Sequence, residues 1–496
     1  MKINHKMISD HMVLQRGEAF SLTGETDATN VTVNMNGKVY EANVNQGNFE
    51  AIIPADDMVA GGPYELTINE ESNTVTYKDV LIGDVFFMAG QSNMEFPVSG
   101  IYANYKDQVD EFDSEFVRQF KVPTSYDFHE IYTDVPAGKW VNAIGDDKAD
   151  FGAIGFFMAK KLYQKNEIPI GLIQVAVPGC PIESFISEEN LKTLGIEFDV
   201  SNLNNKWMAE KIQEENDNWN SRVAHLLSED EKINHTYKKT IVPVLIDCDE
   251  DSRAGVFTFK RKVNLKNVPE EDGILKLGLI VEIDETYVNG VKVGTSEHQY
   301  LTRRYTVQKN VLKQGENEIV IKAIATNGIC RLWEKLEYSL TVGEETIDLT
   351  GVWEYSKGYF EKEEFFTRTF FEYKPIGCYN AMIAPFEGLK AKGILFYQGE
   401  SNTDKPEGYK EKFEVFINQV RKLFDQPELP IYYVQLAGYE DINDEGGYRW
   451  EALRLEQEKA KSIKNAYMII SKDVGSPTDL HPQNKLALGE RIANLI

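Results

Sequence analysis

Residues Gly83–Pro97 read GDVFFMAGQSNMEFP, and this stretch decides the fold. Val85 to Ala89 is an apolar run without a charge, which suits a strand buried on both faces. Gly90 breaks the run, and Gln91, Ser92, Asn93 and Met94 follow at once. A serine directly after such a strand stands where the C-terminal edge of a parallel sheet meets solvent, the edge at which open α/β sheets bind ligands. Ser92 can also start a helix, which would aim its backbone N–H at developing negative charge. The position suits an acyl-transfer nucleophile, and equally a simple helix cap.

The α/β pattern extends in both directions from this strand. Asp150 is placed to cap a helix whose apolar face is Ile154, Phe157, Met158 and Leu162. Ile170 to Val177 is a second unbroken apolar strand, stopped by the rigid turn Pro178-Gly179-Cys180-Pro181. After about 375 the alternation resumes: a strand at Gly393 to Tyr397, then a helix face of Phe413, Phe416, Ile417, Val420 and Phe424. Strands at Ile431 to Leu436 and Ala466 to Ile470 follow, and a final helix starts near Asn484.

Two regions read differently. In 1–80, Val31, Val33 and Met35 alternate with polar residues, and Asn36-Gly37 marks a hairpin, so a small antiparallel β-sandwich is predicted. Asp84, just beyond it, reads as a turn cap at the other end of the sheet. From about 239 to 372 short strands recur between turn signals, including the hairpin Tyr287 to Val293. That pattern suggests a sandwich or jelly roll. A polar stretch from 188 to about 235, with Trp207, Met208, Ile212 and Trp219, reads as a helical connector. The predicted organisation is a β-sandwich at 1–80, an α/β domain in two pieces at 81–235 and 375–496, and an inserted β domain at 236–374.

A chain of 496 residues is long enough for two to four domains at about 100–200 residues each. With 42% hydrophobic and 27% charged residues it has the composition of a globular protein. A net charge of −26 argues against nucleic acid and anionic membrane as partners. No leader-like segment opens the given sequence, and no apolar run reaches membrane-spanning length, so a cytoplasmic location is expected. Cys180, Cys248, Cys330 and Cys378 are scattered and read as free thiols, with no metal-binding spacing. Neither a phosphate-binding loop nor a zinc-protease motif is present, and no cofactor is expected. The oligomeric state is open, with a dimer among the options.

Four strand-end turns carry the polar residues that acyl transfer requires: a nucleophile, a base, an orienter for the base and oxyanion donors. They hold Ser92 with Gln91 and Asn93, Gly179 with Glu183, Gln398 to Asn402, and Asp479 to Pro482. His481 is the candidate base and Asp479 its orienter. The N–H groups of Ser92 and Gly179, and the amide of Asn402 or Gln398, are candidate oxyanion donors. Gln91, Asn93, Glu183 and Glu400 are candidates for supporting or substrate contacts. Glu183 and Glu400 also allow a glycosidase reading, and two β domains around a worn site would suit a non-catalytic sugar-binding protein.

These blocks together resemble the sialate O-acetylesterase family of SGNH (GDSL-like) hydrolases. GDVFFMAGQSNMEFP is similar to the nucleophile block, IGLIQVAVPGCPIESF at Ile170 to Phe185 to the second, FYQGESN at Phe396 to Asn402 to the third and DLHP at Asp479 to Pro482 to the last. SDHMVLQR at Ser9 to Arg16 matches the front of the family, and DETYVNGVKVG at Asp284 to Gly294 resembles a galactose-binding-type insert. The resemblance implies an SGNH-like parallel sheet with helices on both faces, flanked by the β-sandwich and a jelly-roll-like insert. It implies Ser92 as nucleophile, His481 as base and Asp479 as acid partner, with Asp473 or a backbone carbonyl as the alternative support for His481. It also implies an acetylated saccharide as substrate, of the acetylxylan or the sialate kind. Acidity favours neutral xylo-oligosaccharides slightly, whereas Arg303-Arg304 would offer a basic patch for a sialate.

Overall fold

The computed structural model describes residues 1–496 except 72, 249–250, 268, 298–300, 335, 364, 366–367, 441–446 and 478. Two compact units emerge: Met1–Asn205 with Phe370–Pro477 and His481–Ile496, and Lys206–Thr369 with Thr478–Leu480.

The first unit is built on a sheet with seven strands along its main path. In chain order they are β1 (Thr74–Gly90), β2 (Ser114–Lys121), β3 (Trp140–Ala143), β4 (Ile170–Gln174), β5 (Gly393–Tyr397), β6 (Ile431–Val434) and β7 (Ala466–Ile469). Their order is β3-β2-β4-β1-β5-β6-β7, parallel throughout except for β3 on β2. The register pairs Gln174 with Met88 and Tyr397 with Gly90, so the ends of β4, β1 and β5 lie side by side. The chain passes from β1 to one side of it and returns on the other, which makes the end of β1 a topological switch point.

The helices of this unit are α1 (Ser92–Glu95), α2 (Val98–Asp110), α3 (Ala153–Asn166), α4 (Tyr409–Leu423), α5 (Tyr448–Lys459) and α6 (Lys485–Leu495), with a short helical turn at Glu188–Thr193 besides. Both sheet faces are covered, which is why Val85 to Ala89 of β1 is apolar without alternation. Phe87 packs edge-on against Phe386 and Phe424. Met88, on the opposite face, packs where Gly152 and Gly155 leave room at the start of α3. Phe396 of β5 stacks on Phe413 and packs at a tilt against Phe416 of α4.

Three sequence expectations are corrected here. The boundary at 80/81 falls inside β1, because one strand runs from the antiparallel β region straight into the parallel sheet. Asp150 does not cap α3. It lies in the preceding 3-10 turn, and Gly152 is the capping residue while the Ala153 N–H is satisfied by Phe96 O at 2.8 Å. Asp84 is no turn cap but a buried partner of Arg16, at 2.8 Å from Nε.

The second unit holds all but the first residue of a 26-residue helix (Asn205–Asp230), followed by β structure from Lys238 to Glu361. The strands form sheets of six, three and four strands around a core that includes Phe257, Phe259, Ile319, Ile321 and Trp353. The expected hairpin is present, turning at Asn289-Gly290 with φ of +50° and +81°. Arg303 is not a surface charge. It is 1% exposed, with its Nε on Asp284 at 2.7 Å and its other nitrogens on the carbonyls of Leu301 and Glu282.

Candidate active site

Gly90 sets the position of Ser92. Its φ is +133°, and a Cβ there would lie 2.1 Å from Tyr397 O, so only glycine lets β1 turn beside β5. The Gln91 N–H then donates to Tyr397 O at 2.9 Å, and Ser92 begins α1. Its Oγ lies 2.9 Å from His481 Nε2. His481 is 6% exposed and stacks on Phe96, with ring centres 5.6 Å apart. Two residues separated by 389 positions in sequence thus meet at the C-terminal edge of the sheet.

Gly179 closes another side of this edge. Its φ of +73°, and the Tyr373 hydroxyl 2.0 Å from where a Cβ would stand, make it a glycine by necessity. Its carbonyl accepts from Ser401 Oγ at 2.7 Å, which ties the β4 turn to the β5 turn. Among the described residues no hydrogen bond uses the N–H of Ser92 or of Gly179.

The two candidate amides are placed differently. Gln398 is fully buried, and its Nε2 faces Gln91 Oε1, Cys180 O and Asn402 Oδ1 at 3.1, 3.2 and 2.7 Å. Its Oε1 accepts from Tyr409 OH at 2.6 Å. Two amide hydrogens among three internal acceptors leave Gln398 nothing to give an oxyanion. Asn402 accepts through Oδ1 from Gln398 and from the Ile182 N–H, and gives one Nδ2 hydrogen to Glu183 Oε2 at 2.8 Å, keeping the other.

The carboxylates are also engaged. Glu183 pairs with Lys412 Nζ at 2.6 Å as well as with Asn402. Glu400 accepts from Asn93 Nδ2 at 2.6 Å, and burial pushes its carboxyl up from the ordinary value. Gln91 is 2% exposed and accepts through Oε1 from the N–H groups of Gly399 and Ser401, so it holds the β5 turn rather than facing solvent. Asp479 stands two residues before His481, and its charge acts with that of Glu337 on Arg304. Asp473 is taken by Arg491, which bonds both carboxylate oxygens and holds the acid below the usual range.

The sequence reading missed Lys485, Phe96, Tyr373 and Lys412. Of these only Lys485 carried a signal, a cation in the first turn of a helix, where the helix dipole disfavours it.

A serine hydroxyl bonded to an imidazole at the C-terminal edge of a parallel α/β sheet, beside uncommitted backbone N–H groups, is the arrangement that serine hydrolases use. Comparison with known proteins narrows the class. Residues 367–496 match the family described as carbohydrate esterase, sialic acid-specific acetylesterase. The sialate O-acetylesterase of Rattus norvegicus is 30% identical over 155 residues, 29% of this chain and 29% of that protein. The Homo sapiens sialate O-acetylesterase is 28% identical over 155 residues, 29% of this chain and 30% of its own. The matched part is therefore under a third of these relatives' length. A carbohydrate acetylesterase from Xanthomonas citri shares the fold with a TM-score of 0.59 at 21% identity, over 98% of this chain and 72% of that one. The resemblance to the sialate O-acetylesterase family read from the motifs is thus shown.

Proposed function

We propose that this protein is a serine carbohydrate O-acetylesterase, a carboxylic ester hydrolase that removes acetyl groups from saccharides. The observation that carries the reading is the 2.9 Å hydrogen bond between Ser92 Oγ and His481 Nε2. In this reading His481 takes the Ser92 proton as Oγ attacks the acetyl carbonyl. The tetrahedral oxyanion is held by the N–H groups of Ser92 and Gly179 and by the remaining Nδ2 hydrogen of Asn402. His481 gives its proton to the departing sugar hydroxyl, then activates the water that releases acetate. Asp479 is the proposed orienter of His481, favoured over Asp473 because Arg491 occupies the latter. Gln398, Gln91 and Glu183 shape the pocket wall through the contacts described above.

The substrate we favour is a neutral acetylated oligosaccharide such as a xylo-oligosaccharide. The burial of Arg303 against Asp284 removes half of the basic patch that an anionic sugar would use. O-acetylated sialic acid, the substrate in the names of the matched relatives, is the alternative. The β unit at 236–374 is proposed as a jelly-roll-like module. A cytoplasmic site of action suits four buried cysteines that are not joined in disulfides, and no helix among the described residues is long and apolar enough to cross a membrane. A glycosidase reading is disfavoured because Glu183 and Glu400 both spend oxygens on internal partners. Acetate release from acetylated xylo-oligosaccharides and from O-acetylated sialic acid, measured side by side, tests the reading. Release of reducing ends without acetate would sink it.

A further inference from the structure

The surroundings of α1 contain a buried cation that the proposed reaction does not use. Lys485, the first residue of α6, is fully buried. Its Nζ donates to Asn93 Oδ1 and lies 5.2 Å from the ring centre of Phe96 and 5.8 Å from that of Tyr397. Asn93 is 1% exposed, and its Nδ2 donates to Glu400 Oε1 at 2.6 Å. An ammonium, an amide and a carboxylate therefore form one chain, Lys485–Asn93–Glu400. It links α1, the turn after β5 and the start of α6.

The chain needs an acceptor at one end of the amide and a donor at the other. An amide accepts at one end and donates at the other. Turning it over would set NH2 against the ammonium and oxygen against the carboxylate, so the charges at its two ends lock its plane. Burying an ammonium is costly without good partners, and a first-turn position adds an opposing helix dipole. Methionine would fill the same space without either penalty. What the chain supplies instead is one arrangement of α1. A helix of four residues has no stability of its own, so tethers must set its orientation. Both members of the reacting pair abut the chain: Asn93 is the peptide neighbour of Ser92, and Phe96, against which Lys485 lies, stacks on His481.

We propose that Lys485, acting through Asn93 and Glu400, is a positioning residue that locks α1 so that Ser92 Oγ meets His481 Nε2. The inference rests on the assignment of Ser92 and His481 given above.

The test is the rate at which a fluorophosphonate ester labels Ser92, followed by mass spectrometry, alongside aryl acetate kinetics and thermal melting. Lys485→Met is expected to slow labelling and kcat on the order of 10²-fold, the size that a misplaced reacting group costs. KM for a small aryl acetate should stay within about 3-fold, because Lys485 is fully buried and acts on the position of Ser92. Glu400→Leu should act likewise. Glu400→Gln, whose Oε1 still accepts from Asn93, should recover much of the rate. Labelling of folded Lys485→Met as fast as wild type would overturn the proposal, whatever its melting temperature. So would a changed KM at unchanged kcat. If Lys485→Met does not fold, the Glu400 variants decide, and equal rates for Leu and Gln would overturn it. Labelling is independent of the sugar. A wild type that labels at Ser92 yet frees no sugar acetate sinks the substrate reading alone, and one that does not label sinks both.

Discussion

At the scale of single residues, the site depends on backbone positions that side chains cannot occupy. Gly179→Ala would push a methyl to 2.0 Å from the Tyr373 hydroxyl and strain a φ of +73°. Its N–H should move away from the oxyanion, and kcat on an aryl acetate is expected to fall about 10²-fold, as when one oxyanion donor is lost. An unchanged kcat would remove Gly179 from the proposed hole. Asp127 offers a test by pH. Burial pushes its carboxyl up, but hydrogen bonds from Asn205 and Tyr132 and from the N–H groups of Glu130 and His129 outweigh this and hold it below the usual range. Its folded value is depressed, so it adds stability above the ordinary aspartate value and loses it as pH falls through the folded value. Asp127→Ala should cost on the order of 2 kcal/mol near neutrality. Denaturation curves should show the gap narrowing below the ordinary aspartate range. A gap that widens on acidification would contradict the assignment. That Ser92 and His481 share one edge of the sheet was legible because each stands in a polar block that follows a strand. The division of labour between Gln398 and Asn402 was not. Both are amides in one turn, and only tertiary contacts show that one is spent on Gln91, Cys180 and Asn402 while the other keeps a hydrogen.

At the scale of elements, β1 is the support of the whole arrangement. Gly90→Ala would bring a Cβ to 2.1 Å from a backbone oxygen of β5, which cannot swing aside. A loss of about 3 kcal/mol of stability is expected, with Ser92 displaced. Melting curves and activity per folded molecule check this, and a wild-type melting temperature would contradict the account. The second half of β1, with β4 and β5, could be read from sequence because burial on both faces makes these stretches nearly all apolar. The junction at 80/81 could not. Thr74 to Val80 carry mostly polar residues on a half-exposed ribbon, so a change of environment along one strand looks like a change of domain. Lys485 was half legible: a cation in a first turn opposes the helix dipole, but that alone does not say where it goes. Asn484-Lys485-Leu486 suits a capped helix with a surface lysine as well, and only the tertiary contacts of Lys485 with Asn93 and Phe96 show where it goes.

At the scale of the whole molecule, two units with separate cores lead to two unfolding events. Trp353 is 1% exposed within the β unit and donates its indole N–H to Leu349 O at 2.8 Å. Trp353→Ala should cost about 4 kcal/mol and lower one calorimetric transition, while Gly90→Ala lowers the other. A single transition moved equally by both would contradict the division. The chemistry itself is best tested on the intact chain. Acetate release from an acetylated xylo-oligosaccharide, O-acetylated sialic acid and an aryl acetate should be measured for wild type and Ser92→Ala together. Wild type is expected to release acetate from at least one sugar, and Ser92→Ala, with its fold intact by circular dichroism, from none. Release that persists in Ser92→Ala would contradict the central role of the Ser92–His481 pair.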